Sequence, residues 1–237
     1  MTLIADNPAV PHVKRWTKQE YFELVEKGFL YGQSTYLFRG ELVNKRFNAL
    51  PAPKEWSKKE FIESVERGFF TNQRLILFRG ELIEMPAIGA LHALAAKNLN
   101  IWLVQSFQGE FEVRTQNPFE AHDQTMPQPD GAVYTQAQDQ RRPHPNAALL
   151  IIEISDSSLE FDREMAADYA ASHVDEYWII NVRDRNAEVY RNAVSDPASP
   201  TGFSYATRAE IGEAEIIAPL FKPGVKVAVA AFLTPAR

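Results

Sequence analysis

The chain has 237 residues, 45% of them hydrophobic, and a formal net charge of −6, which supplies enough apolar material for one large or two small cores and argues against bulk electrostatic binding to nucleic acid. No apolar run reaches the length of a membrane span, and Pro8 and Pro11 break the weakly apolar start, so neither a membrane protein nor a signal peptide is expected. The absence of cysteine excludes disulfides, thiolate metal ligands and cysteine nucleophiles, suits a cytoplasmic location, and leaves carboxylates and His as the only metal ligands.

The first elements come in pairs. Trp16-Thr17-Lys18-Gln19-Glu20-Tyr21 returns as Trp56-Ser57-Lys58-Lys59-Glu60-Phe61, Val25-Glu26-Lys27-Gly28-Phe29 as Val65-Glu66-Arg67-Gly68-Phe69, and Leu37-Phe38-Arg39-Gly40-Glu41-Leu42 as Leu77-Phe78-Arg79-Gly80-Glu81-Leu82, always 40 positions apart. Two copies are too few for a solenoid, so the pattern reads as one helix-turn-strand module present twice. Each copy opens with a capping box, Thr17 with Glu20 and Ser57 with Glu60, and with an aromatic pair placed as a staple, Trp16 with Tyr21 and Trp56 with Phe61. Gly28 and Gly68 then end the helices. The first copy stops at a Pro-rich joint containing Pro51 and Pro53. The second runs on into a helix over 91–107, where Leu94, Ala95, Leu99, Trp102 and Leu103 follow helical spacing. Residues 1–50 are therefore expected to be an extra amino-terminal module and residues 51–237 one α/β domain. The basic residues concentrate early, with a balance of +3 over the first 60 residues and −9 over the rest, so a phosphate contact would favour the amino-terminal quarter.

Further along, a strand is expected near 111–115, another after Asp130, and a loop carrying Arg141, Arg142 and His144 that reads as a solvated turn. The run Ala-Leu-Leu-Ile-Ile-Glu-Ile-Ser at 148–155 reads as a strand buried on both faces, yet it carries Glu153. An ionised Glu in such a strand costs several kcal/mol unless it is paired or metal-bound. Asp130, in Gln128-Pro129-Asp130-Gly131, is the nearest upstream carboxylate at a strand entrance. If the two strands are neighbours, their spacing of about 4.8 Å lets both side chains reach one divalent cation. A salt bridge from Glu153 to Arg163 is the alternative without a metal. A helix over 160–172 follows, with Asp162 placed for capping. Strands at 177–182 and 187–191, a loop over 192–202 and weak strands to 233 finish the chain.

Several of these stretches together resemble a known family. Gly80-Glu81-Leu82-Ile83-Glu84-Met85-Pro86, His92, Pro129-Asp130, Ile152-Glu153-Ile154-Ser155-Asp156-Ser157-Ser158-Leu159 with Asp162-Arg163, and Tyr169-Ala170 followed by Asp175-Glu176-Tyr177-Trp178 are similar to the Uma family of "putative restriction endonucleases", within the PD-(D/E)XK nuclease superfamily. The resemblance spans roughly residue 56 to the carboxy terminus, and the copy at 16–43 is an addition to it. It implies a restriction-endonuclease-like fold, a mixed central sheet flanked by helices. It implies Mg²⁺- or Mn²⁺-dependent hydrolysis of DNA phosphodiester bonds, with Asp130 and Glu153 as metal ligands and Glu81 as a third catalytic carboxylate. Cleavage of both strands by the superfamily implies a homodimer.

The resemblance breaks at one element. The superfamily's Glu-x-Lys lysine would stand at Ser155, and the family's own lysine, one helix later, would fall on Met165 or Ala166. Arg163 and Lys97 are the replacement cations to consider, although Arg cannot deprotonate as a base. The rival reading is accordingly an inactive nuclease-fold protein that serves as a binding or assembly module through its extra copy. His92 reads either as a helix-start residue or as a contact to metal-bound water.

Overall fold

Residues up to Pro86, joined by Asp123–Met126, form one compact unit, and Ala87–His122 with Pro127 onward form a second. The computed structural model describes residues 9–45, 50–140 and 144–234, so Arg141 and Arg142 lie outside the described residues.

In the amino-terminal unit the two copies take the same local course. The first comprises β1 (His12–Val13), α1 (Lys18–Glu26), β2 (Thr35–Phe38) and β3 (Glu41–Asn44). The second comprises β4 (Ala52–Pro53), α2 (Lys58–Glu66), β5 (Leu75–Phe78) and β6 (Glu81–Glu84). Both capping boxes form as expected, the Thr17 and Ser57 side chains accepting from the N–H of Glu20 and Glu60 while the two carboxylates reach back to the cap N–H. Both hairpins turn on Arg-Gly. Arg39 and Gly40 have φ of 50° and 81°, and Arg79 and Gly80 have 47° and 82°, the paired positive φ of a two-residue turn whose twist matches its strands. Trp16, Leu24, Leu42, Trp56, Phe61, Phe70, Leu77 and Leu82 share one core. The tryptophans also stack on each other, centroids 5.6 Å apart and planes 8° from parallel, in the same core that takes Phe61 and, partly buried, Tyr21.

The second unit begins with α3 (Ala90–Phe107), followed by β7 (Glu112–Arg114), β8 (Gly131–Tyr134), α4 (Gln136–Gln140), β9 (Leu150–Ser155), α5 (Leu159–Ala171), β10 (Glu176–Asn181), β11 (Asn186–Ser195), β12 (Phe203–Gly212), β13 (Ile216–Ile217) and β14 (Val227–Ala228). Its six-stranded sheet runs β7-β8-β9-β10-β11-β12. Only β9 and β10 are parallel, because α5 carries the chain from one to the other, and the remaining neighbours are antiparallel. Strand alternation sorts the two faces. Leu150, Ile152, Ile154, Trp178 and Ile180 pack with Ala95, Leu99, Leu103 and Phe107 of α3. Glu153 and Tyr177 face the other way, where their side chains bond to Tyr169 and to the backbone of Asp162, both on α5.

The carboxy-terminal hairpin departs from expectation. The ladder of β11 and β12 extends through Ala193↔Tyr205 to Ser195↔Phe203, where a loop and weak strands are read from sequence. On its outer half the β11 strand is solvent-exposed and only Ser204 and Tyr205 of β12 are partly buried, so it lacks the apolar pattern by which strands are recognised. Among the described residues no helix is long and apolar enough to cross a membrane.

Candidate functional site

The register of β8 and β9 decides where the two predicted carboxylates go. Gly131 faces Ile152 across the pair, and Ile152 belongs to the α3 face, so the next residues outward, Asp130 and Glu153, turn to the opposite face together. Gly131 suits this packing, since a Cβ would lie 2.7 Å from Leu103 Cδ1 and 3.2 Å from Leu99 Cδ2 and would force the Leu103 side chain to shift. This close approach seats α3 against β8.

Each carboxylate is anchored by the other strand. Asp130 Oδ2 accepts from the Ile154 N–H at 2.9 Å, and Glu153 Oε2 accepts from the Asp130 N–H at 3.2 Å. The Tyr169 hydroxyl donates to Glu153 Oε1 at 2.7 Å, while His92 Nε2, in the first turn of α3, lies 3.1 Å from Asp130 Oδ2. Glu153 keeps partial contact with solvent within an otherwise closed strand. Asp130 is partly exposed as well.

A third carboxylate joins them. Asp162 is buried near the start of α5 and accepts from the Ser158 hydroxyl at 2.7 Å. Burial pushes its pKa up to about 7, the Ser158 and Ser155 hydroxyls draw it down, and the charge of Asp130 adds to the rise. The Glu153 carboxyl is likewise held well above its usual range, first by desolvation and then by the charges of Asp130 and Asp162. Burial also raises the Tyr169 phenol, which keeps its proton available to Glu153. Sequence reading assigned Asp162 only a capping role. The missed signal is its spacing: Asp162, Met165, Ala166 and Tyr169 stand at i, i+3, i+4 and i+7, one stripe of α5.

The remaining candidates sort as follows. Glu81 lies in the amino-terminal unit, exposed at the first position of β6. Arg163 does not pair with Glu153, because its guanidinium is bound to Glu188 at 2.5 Å and Glu160 at 2.6 Å. The three positions where a lysine is sought, Ser155, Met165 and Ala166, are all buried, and none is cationic. The buried Ser155 hydroxyl acts on the Asp162 carboxylate, lowering its pKa, without closing a hydrogen bond of full geometry.

Among the described residues no group of three or more His, Cys, Asp or Glu is spaced to hold a metal ion as it stands. Two carboxylates on adjacent strands nevertheless match the donor chemistry of Mg²⁺, which commonly takes one or two carboxylates and completes its shell with water or phosphate.

A mixed six-stranded sheet with helices on both faces, and an Asp and a Glu meeting on neighbouring strands, has the architecture of restriction-endonuclease-like proteins. The model of the Uma2 family, described as "Putative restriction endonuclease", matches residues 59–229, and the chain belongs to that family. No curated protein matches the chain. Among solved structures, a putative nuclease belonging to DUF820 from Anabaena variabilis ATCC 29413 is 14% identical, with a TM-score of 0.59 over 75% of this chain and 97% of its own. The type IIG restriction endonuclease BpuSI is 17% identical, with a TM-score of 0.31 over 47% of this chain and 12% of its own. The first of these supports the fold alone.

Proposed function

We propose that this protein is a Mg²⁺- or Mn²⁺-dependent DNA endonuclease in which Asp130 and Glu153 hold the metal. The observation that carries this reading is the convergence of these two carboxylates on one face of the sheet, with Asp162 beside them and the pKa of both Glu153 and Asp162 raised first by burial and then by the neighbouring negative charge. A cation there would relieve that repulsion, polarise a scissile phosphate and lower the pKa of an attacking water. The protein's own part is positioning. The Ile154 N–H and His92 orient Asp130, the Asp130 N–H and Tyr169 orient Glu153, and Asp162 is the third carboxylate we assign to the site. Glu81, which the family resemblance brings in, is tested separately by Glu81→Ala. Cutting both strands of a duplex in one encounter would use two such sites, as a homodimer supplies.

The test is Mn²⁺ titration calorimetry beside nicking of supercoiled plasmid. Asp130→Ala and Glu153→Ala should each abolish both signals. Unchanged Mn²⁺ affinity in both variants would overturn the assignment.

A second reading is favoured by the missing lysine. Met165 and Ala166 lie on the α5 stripe between Asp162 and Tyr169, both buried, so a lysine at either would lead into the acidic cluster. With Arg163 tied to two glutamates, we infer that hydrolysis is slow or absent and that the fold serves binding, since losing one positioned charge commonly costs about 10²–10³ in rate. Met165→Lys and Ala166→Lys separate the readings. Cleavage gained from nothing identifies an inactive nuclease fold, whereas metal-dependent cleavage by the unaltered chain shows that another group replaces the lysine.

A further inference from the structure

The two amino-terminal copies do not fold side by side as independent units; each completes the other. β1 of the first copy adds to the hairpin of the second, with Val13 opposite Ile83 and His12 opposite Glu84. Forty residues on, β4 adds to the hairpin of the first, with Pro53 opposite Val43 and Ala52 opposite Asn44. The Lys14 N–H donates to Leu82 O at 2.8 Å and the Lys54 N–H to Leu42 O at 2.7 Å. Each arm then returns to its own copy, Trp16 N–H to Gly40 O and Trp56 N–H to Gly80 O.

The side chains obey the same exchange. Gln73 Nε2 donates to Glu20 at 2.9 Å and Gln33 Nε2 to Glu60 at 3.1 Å. Lys27 lies over the ring of Phe69 at 5.2 Å and Arg67 over the ring of Phe29 at 5.0 Å. Where the copies meet, equivalent residues pair with each other, Trp16 with Trp56 and Phe29 with Phe69. Residue i touching j while the equivalent of j touches the equivalent of i is the signature of a two-fold, self-complementary interface between identical subunits. Here both halves lie on one chain. Without β4 of the second copy the β2–β3 hairpin is a lone two-stranded ribbon, which is marginal at best in water, and without β1 the β5–β6 hairpin keeps only its bridge from Leu77 to Met126.

We propose that the first copy is a tethered second protomer: the module is a homodimer closed within one chain, and its halves will pair equally well with the halves of a second copy of this chain. The face it uses is consequently occupied in the intact protein, and a homodimer serving cleavage must form through another surface. This inference is independent of any catalytic role.

The linker supplies the test. Asn44 and Ala52 face each other across β3 and β4, so deleting residues 45–51 from the full chain joins two strand residues with no room to reverse direction. β4 must then seek β3 of another molecule, a domain swap. The chain lacks cysteine, so His12→Cys with Glu84→Cys reports which molecule supplies each half. With the natural linker the oxidised pair should give an intrachain disulfide and the migration of one chain. In the deletion variant the disulfide should be interchain and the light-scattering mass should double. A folded deletion variant of single-chain mass, or one with an intrachain disulfide, would overturn the proposal. Should the deletion variant aggregate, the full chain with a protease site replacing residues 46–49 decides the matter. After cleavage its two pieces should co-elute in native gel filtration, and their separation would refute the pairing.

Discussion

The two units bury the same kind of group to opposite ends. In the amino-terminal unit Glu20 and Glu60 are desolvated, which raises their pKa, but Lys14 and Lys54 donate to them at 2.7 Å and the Thr17 and Ser57 N–H groups add to the pull, so both finish at about 2. In the second unit desolvation of Glu153 and Asp162 is reinforced by the charge of Asp130, and both are raised, Asp162 to about 7. The first pair is built as structure, each acid neutralised by its own cation and fixed as a helix cap. The second has hydroxyls as side-chain partners among the described residues, Tyr169 on Glu153 and Ser158 on Asp162, an arrangement that costs stability when the acids ionise.

The largest test of this contrast removes a cation. Lys14→Met or Lys54→Met strands a carboxylate beside an apolar side chain and should cost about 3 kcal/mol in chemical denaturation; losses below about 0.5 kcal/mol would make these pairs no different from surface ones. Next comes Asp162→Asn, which should stabilise the protein. Because the folded-state pKa of Asp162 lies above its ordinary 3.8, ionisation weakens the fold as pH rises from about 4 through 7. The gain from Asn should therefore be on the order of 1 kcal/mol or more at pH 8 and vanish near pH 4, and melting curves showing the same gain at both pH values would contradict it. Mn²⁺ should raise the melting temperature more at pH 8 than at pH 5 for the same reason.

The acid side of the profile belongs to the other unit. Glu20 and Glu60 have depressed folded-state pKa values, so their contribution is complete above the ordinary 4.5 and is lost as pH falls towards 2. Glu20→Gln with Glu60→Gln should flatten the stability profile in that window. The smallest effects are expected at the caps, where Thr17→Ala and Ser57→Ala should each cost about 0.5–1 kcal/mol and by equal amounts. Unequal losses would show that the two copies are less alike than their geometry.

Much of this was legible in the residues, for reasons that differ from place to place. The capping boxes and the glycine turns are local: Thr17 with Glu20, or Arg79 with Gly80, carries its instruction within four residues. Glu153 was conspicuous because a charge in an aliphatic run demands an explanation, and Asp130 because it stands at a strand entrance. Asp162 was read only as a helix-start acid because it has a sufficient local reason to be there, and nothing local shows that the same face carries Tyr169 to Glu153. The outer half of the β11–β12 ribbon was missed because its β11 strand is exposed there and only Ser204 and Tyr205 of β12 are partly buried.

Phe38 and Phe78 show where local information ends. Both precede the same Arg-Gly turn, yet Phe38 is 53% exposed and Phe78 5%, because the outer edge of β5 receives residues 124–126 through Leu77 and Met126, a contact specified far along the chain. The sequence by itself determined the elements, their caps and turns, and the two acids worth watching, since short-range sterics and hydrogen bonding govern these. Only the tertiary structure decided that Asp130 and Glu153 share a face with Asp162, and that each amino-terminal copy borrows its third strand from the other, because register and strand exchange depend on which distant surfaces meet.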